Sequence, residues 1–267
     1  MKQDRKIEGF RERVWRFYLD SGRDLPWRRR VTPYGVYISE IMLQQTQVSR
    51  VEGFYVRWLT RFPDWHALAL ASSADVIKQW QGLGYNRRAL WTLEGARRIV
   101  YDFGGKLPTT VAELQSLPGI GPNTAASIFV FAYDRPAIFV ETNIRRVFLH
   151  EFFPGEESVA DSQLMPLVSA SLDQGRPREW YWALMDYGAD LAKRVPNPNR
   201  RSKHYSVQSK FEGSVRQIRG TVLRRLVEGP IPVDLLIRID PRTPVVLEHL
   251  KEEGFIVESQ GLCALRR

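Results

Sequence analysis

Cysteine is almost missing from this chain: Cys263 stands alone among 267 residues. A single thiol excludes an intramolecular disulfide framework and any cluster that several cysteines of one chain would ligate. Long apolar runs are missing too. No uninterrupted stretch approaches the roughly 20 residues that a helical membrane span needs, and the opening MKQDRKIEGF is charged where a signal segment would be apolar. A third scarcity is local: between Lys193 and Arg225 one acid, Glu212, stands against ten Lys or Arg. That window therefore carries +9, equal to the net charge of the whole chain. No internal repeat at a fixed period is visible.

What remains is a globular composition. With 43% hydrophobic residues the chain can bury one large or two modest cores. A soluble, cytoplasmic, monomeric protein is expected, and the basic excess favours a polyanionic partner. A charge run is usually a solvated face. Here His204, Tyr205 and Phe211 interleave with it, which suits a phosphate footprint that sets affinity and salt dependence without reading sequence.

The richest stretch is Leu25 to Val48, LPWRRRVTPYGVYISEIMLQQTQV, which sets one carboxylate, Glu40, in an otherwise apolar helical run. Burial disfavours the charged form of a carboxylic acid, so such a group can hold a proton near neutrality and deliver it. A structural glutamate satisfied by a helix terminus or an arginine gives the same pattern. Downstream, LPGIG between two apolar-periodic segments reads as a tight turn whose glycines, Gly119 and Gly121, permit angles or close approaches that a side chain would forbid. Thr110 with Glu113 resembles a capping box before it, and Thr124 to Tyr133 reads as a helix after it, with N-terminal amides able to face an anion. Asn86 to Phe103 carries apolar residues on one helical face and stops at Gly104-Gly105.

The first of these blocks resembles the opening of the A/G-specific adenine DNA glycosylases, a branch of the helix-hairpin-helix (HhH-GPD) superfamily that includes endonuclease III. Similar blocks follow in order as WQGLGYNRRA (80–89), LPGIGPNTAASI (117–128), VETNIRRV (140–147) and WALMDYGADL (182–191). The resemblance implies a mainly α, two-lobed glycosylase fold. A six-helix barrel over 30–137 would carry the hairpin, and 1–29 with 138–213 would form the second lobe. Glu40 and Glu141 would face each other across the cleft between lobes.

By the same resemblance Glu40 is the general acid that protonates the leaving base. Glu141 supports the cationic sugar, and Asn143 positions that carboxylate or the attacking water. Gln45 wedges into the duplex and Tyr85 lines the extruded base or its partner, since a base must leave the stack before chemistry can reach it. Arg28, Gly119, Gly121, Asn123, Thr124, Arg200, Arg201 and Lys203 join the DNA-contacting set. The carbonyls of Gln115, Leu117 and Ile120 become ligands of a monovalent Na or K ion. As plain structure, Tyr85 is a core aromatic and Asn143 a helix cap.

Three departures qualify the transfer. Asn123 stands where lyase members carry a Schiff-base lysine, so a monofunctional enzyme using water is expected; it is also not the Tyr or Ser often found there in adenine glycosylases. Glu141 stands where the family has Asp, longer by about 1.5 Å, so either the backbone is set back or the activity is altered or lost. Relatives place four cluster-binding cysteines after the WALMDYGA block, where this chain reads KRVPNPNRRSKHYSVQSKFEG. A cluster-free variant without cofactor is expected.

The tail, 214–267, differs in character. A basic helix (Val215 to Glu228), PVDLLIRI, a helix from Thr243 to Glu253 and two alternating runs around Gln260-Gly261 suggest a small winged-helix-like α+β module. It either contacts DNA or protein, or caps the fold. The larger domain that recognises 8-oxoguanine in many relatives is not expected in so short a chain. The leading expectation is a monofunctional base-excision glycosylase bound to double-stranded DNA with a mispaired or damaged base, and on the nucleoid. It would remove adenine opposite 8-oxoguanine or guanine. A thymine or uracil glycosylase acting opposite guanine, and a damage-sensing protein without turnover, remain open.

Overall fold

The computed structural model describes residues 2–266. In chain order it forms α1 (Lys2–Ser21), α2 (Pro26–Arg29), α3 (Pro33–Leu43), α4 (Val48–Arg61), α5 (Trp65–Ala69), α6 (Ser73–Trp80), α7 (Arg87–Asp102), α8 (Val111–Gln115), α9 (Pro122–Tyr133), α10 (Thr142–Phe152), α11 (Asp161–Ser171) and α12 (Pro177–Arg194). A 3-10 turn over Pro198–Arg201 follows. Then come α13 (Val215–Val227), β1 (Ile231–Pro232), α14 (Val233–Ile237), α15 (Thr243–Glu252), β2 (Ile256–Ser259) and β3 (Leu262–Leu265). No described helix is long and apolar enough to cross a membrane.

Helix boundaries follow local chemistry. Asp64 and Ser72 cap α5 and α6 by accepting from the amides of Ala67 and Asp75 at 2.8 and 3.0 Å. The helix expected over Asn86–Phe103 forms as α7 and stops where Gly104 and Gly105 take φ of 60° and 76°. The helix expected from Thr124 starts two residues earlier, because Pro122 suits the first helical position. At Thr110 the hydroxyl accepts from the Glu113 amide at 3.2 Å and donates to the Glu113 carboxylate at 2.7 Å.

Packing groups the chain into two compact units. One holds the residues up to Val36, Thr109–Gln115 and Gly121–Val207; the other holds Tyr37–Pro108, Ser116–Ile120 and the residues from Gln208 onward. In the first, fully buried Phe10 meets Phe148, Phe152 and Trp180 edge-on at 5.1–6.0 Å, tying α1 to α10 and α12. In the second, the tail shares a core with α6: Ile77 packs with Ile218, Val222, Leu247, Leu250 and Phe255. The tail's three strands run antiparallel in the order β1-β3-β2. Gln260 and Gly261 join β2 to β3 with φ of 51° and 74°, the two positive angles a tight hairpin turn demands.

Candidate functional site

In the first unit the site is built around the N-terminus of α10. Glu141 is its N-cap: the amides of Asn143 and Ile144 donate to Glu141 Oε1 at 2.8 and 3.0 Å. The Glu141 side chain thus folds back onto its own helix. Burial pushes its carboxyl above the ordinary carboxylate range, against the pull of those two amides and of Arg146 and Arg145. Asn143 lies beside it, its Nδ2 3.5 Å from Oε2. Arg146 holds Asn143 in turn, donating to its Oδ1 at 2.6 Å and to the Gly188 carbonyl at 2.8 Å.

The surroundings are fitted closely. A Cβ on Gly188 would sit 2.5 Å from the Asn143 carbonyl oxygen, so glycine lets α12 abut the start of α10. Asn199, from the 3-10 turn, donates to the Thr142 carbonyl at 3.1 Å. Asn123, on the first turn of α9, pairs its amide with both faces of the Val140 peptide: Nδ2 donates to the carbonyl at 3.1 Å, and Oδ1 accepts from the N–H at 3.4 Å. The backbone leading into Glu141 is thereby clamped by the Asn123 side chain.

Arg28, expected in the DNA-contacting set, has its partners inside the protein. Its guanidinium is buried and grips Asp186, 2% exposed, with contacts of 2.8 and 2.9 Å, while Arg23 adds its amide at 2.8 Å and Nε at 2.6 Å. Arg28 also lies over Trp182, 5.2 Å from the ring centroid. Arg201 likewise turns inward, donating to the carbonyls of Leu149 (2.8 Å) and Phe153. Arg200 and Lys203 point into solvent.

In the second unit the C-terminal turn of α3 carries Glu40. It is half-buried, with Tyr37, Ile38, Ser39, Ile41 and Met42 fully buried around it. Of the polar trio that follows, Gln44 donates to the Gly119 carbonyl at 3.2 Å and Thr46 accepts from Arg88 at 3.0 Å. Gln45 alone is presented to solvent, with φ of +53°. Tyr85 is the matching case on the loop between α6 and α7, 37% exposed with φ of +48°. Left-handed backbone at a non-glycine residue costs on the order of 1–3 kcal/mol and persists where the surroundings over-determine it.

The hairpin turn separates its two glycines. Gly119 has φ of +74°, and a Cβ there would meet Trp91 at 2.5 Å, so both reasons for glycine apply. Gly121 has φ of −83° and open space above it. No neighbouring atom would meet a Cβ there, and Gly121, as the N-cap of α9, gives that helix no side-chain cap. Leu117 and Ile120 are buried, and the Leu117 carbonyl already accepts from the Ile120 amide at 3.2 Å; Gln115 ends α8.

A thiolate-bound cluster does not fit these residues. Cys263 is buried on β3, and the segment after α12 is anchored by Asn199 and Arg201 instead. Among the described residues no group of His, Cys, Asp or Glu gathers that could hold a metal ion.

Residues 38–164 match the model of the HhH-GPD superfamily base excision DNA repair proteins. The chain is 37% identical over 197 residues to the adenine DNA glycosylase of Rattus norvegicus, an alignment covering 69% of this chain and 38% of that protein. Against the adenine DNA glycosylase of Mycolicibacterium smegmatis it is 34% identical over 266 residues, covering 91% of each. The chain spans less than half the length of the mammalian relatives it matches. Among solved structures, a thermostable thymine-DNA glycosylase superposes with a TM-score of 0.64 at 24% identity, over 76% of this chain and 93% of the other. A non-covalent endonuclease III–DNA complex gives 0.58 at 18%, over 68% and 84%. These last two establish the helix-hairpin-helix glycosylase fold. On the near full-length match to the mycobacterial protein, this chain belongs to the adenine DNA glycosylase family.

Proposed function

We propose that the protein is a monofunctional adenine DNA glycosylase of base excision repair, hydrolysing the N-glycosidic bond of adenine mispaired with guanine or 8-oxoguanine in double-stranded DNA. One observation carries this reading: 34% identity that runs through 91% of a curated adenine DNA glycosylase and of this chain alike. Glu40 protonates the leaving adenine, and Glu141 supports the sugar cation and the water that attacks it. Their settings support these roles, since one carboxylate sits in a largely apolar helix end and burial raises the other. Water is the nucleophile because Asn123 has no amine and its amide is engaged with Val140. The open N-terminus of α9, Gly121 and exposed Arg200 and Lys203 take phosphate, while Gln45 and Tyr85 enter the duplex.

A panel of duplexes with single mispairs, incubated with excess protein and then treated with alkali, tests this. Alkali-dependent cleavage at adenine opposite guanine or 8-oxoguanine, abolished in Glu40→Gln, is expected. Strand breaks without alkali, or a protein–DNA adduct trapped by borohydride, would refute the monofunctional reading. Cleavage at thymine or uracil would move the substrate, and steep salt-sensitive binding with no cleavage anywhere would make the protein a sensor.

A further inference from the structure

We infer that Arg88, on the first turn of α7, is the positioning residue that holds the Gln45 and Tyr85 loops in their left-handed shapes and sets the helix end carrying Glu40. The inference rests on the reading of the chain as a glycosylase that extrudes a base. Arg88 is 3% exposed. Its Nη1 donates to the carbonyls of Ile41 (2.8 Å), Met42 (2.9 Å) and Gln44 (2.7 Å). Its Nη2 donates to Thr46 Oγ1 at 3.0 Å and to the Gly84 carbonyl at 3.0 Å. Gln45 and Tyr85, both with left-handed backbone, therefore each adjoin an Arg88 acceptor on their N-terminal side, and Gln45 has one on either side.

The charge is held by carbonyl dipoles: among the described residues no carboxylate forms an ion pair with Arg88. Ile41 and Met42 belong to the last turn of α3, where the carbonyl end of the helix dipole favours a cation; the Ile41 carbonyl also accepts from the Gln44 amide at 3.3 Å. The rings of Trp80 and Tyr85 lie 5.3 and 5.5 Å from the guanidinium carbon. Three carbonyls on one nitrogen and three acceptors on the other, the Leu83 carbonyl at 3.5 Å being the third, require a planar fork. Lysine offers the charge from a single point and cannot span both loops. Strained loops fixed before DNA arrives spare the ordering cost at the moment a base leaves the stack.

The test compares wild type with Arg88→Lys on duplexes carrying 2-aminopurine opposite guanine, with a matched duplex as control. Fluorescence reads extrusion, titration reads binding, and single-turnover excision of adenine reads chemistry. Arg88→Lys should bind the matched duplex like wild type, lose the fluorescence rise and excise at least about tenfold more slowly. In a Gln45→Ala, Tyr85→Ala background the same substitution should cost less than about twofold, because the loops through which it acts are already blunted. Wild-type extrusion and rate in a folded Arg88→Lys protein, or a full deficit in the blunted background, would overturn the inference. Should Arg88→Lys not fold, Thr46→Val removes one acceptor and decides: a partial loss of extrusion supports the inference and wild-type behaviour overturns it. A wild-type protein that neither extrudes nor excises would bring down the glycosylase reading itself, and this inference with it.

Discussion

The start of α10 and the end of α3 are each held by one side chain, an acceptor at the first and a donor at the second. At α10 a carboxylate, Glu141, receives the amides of its own helix, so the group that fixes the local backbone is also the proposed reactive group. At α3 a guanidinium, Arg88, receives the carbonyls, while the proposed reactive group, Glu40, sits on the same turn with its positioning delegated to another residue. Both arrangements exploit the backbone groups at helix termini. The difference is separability: Arg88 can be altered while Glu40 is kept, whereas any change at Glu141 touches cap and chemistry together.

Glu40→Gln gives the largest expected effect. Removing a general acid costs about 10²–10⁴ in rate, so single-turnover excision should fall by that factor while duplex binding is unchanged. A loss under tenfold would break the assignment of the acid. Glu141→Gln should come next, slowing excision by about 10²-fold or more with an opposite effect on the fold. Because burial raises the Glu141 carboxyl in the native state, its neutral form favours folding. That contribution is complete below the unfolded value near 4.5 and is lost as pH rises through the raised native one. Glutamine keeps an acceptor for the two amides and has no proton to lose. Glu141→Gln should therefore melt at or above the wild-type temperature at neutral pH, the advantage vanishing as the solution is acidified. Melting curves across pH check this, and a neutral-pH Tm well below wild type would mean that the charge, not the acceptor, holds the cap.

These local features were unevenly legible in the sequence. Glu40 was visible because a lone carboxylate among Tyr37, Ile38, Ile41 and Met42 is conspicuous at helical spacing, and α7 and the β2–β3 hairpin were visible in periodicity and in Gln260-Gly261. Long-range polar pairing was not. Arg28 reads as a basic surface residue until Asp186, 158 positions away, takes it. Arg88 falls on the edge of the apolar face of α7, and its acceptors are backbone carbonyls, which leave no mark in composition. The available hint was Thr92 and Gly95 continuing the same stripe, both fully packed in the fold. Gly121 shows the converse: glycine suggests an internal constraint, yet the space above it is empty.

Asp186→Asn sharpens the same comparison on the scale of the fold. Breaking one partner of a buried ion pair costs about 3–5 kcal/mol, here by leaving Arg23 and Arg28 without their carboxylate. A fall in Tm is expected, with the salt dependence of DNA binding unchanged. If Asp186→Asn instead flattens the salt dependence at constant Tm, Arg28 contacts DNA after all. Asn123→Ser should act more gently, at about 1 kcal/mol for an exposed hydrogen-bonding pair. It loosens the backbone entering Glu141, so the excision rate should fall several-fold at unchanged duplex affinity.

The smallest effects should separate neighbours within one short turn. Arg200 and Lys203 are exposed, whereas Arg201 is tied to the carbonyls of Leu149 and Phe153. Each phosphate contact contributes about one unit to the slope of log affinity against log salt. Arg200→Ala and Lys203→Ala should each lower that slope by about this amount, equally for matched and mispaired duplexes, because phosphate contacts carry no base information. Arg201→Ala should leave the slope alone and lower Tm by a few degrees, because removing one donor leaves two partly buried carbonyls short of a partner. Titrations at three salt concentrations with the three variants side by side distinguish the roles. A slope change at Arg201 equal to that at Arg200 would mean that this turn opens when DNA binds.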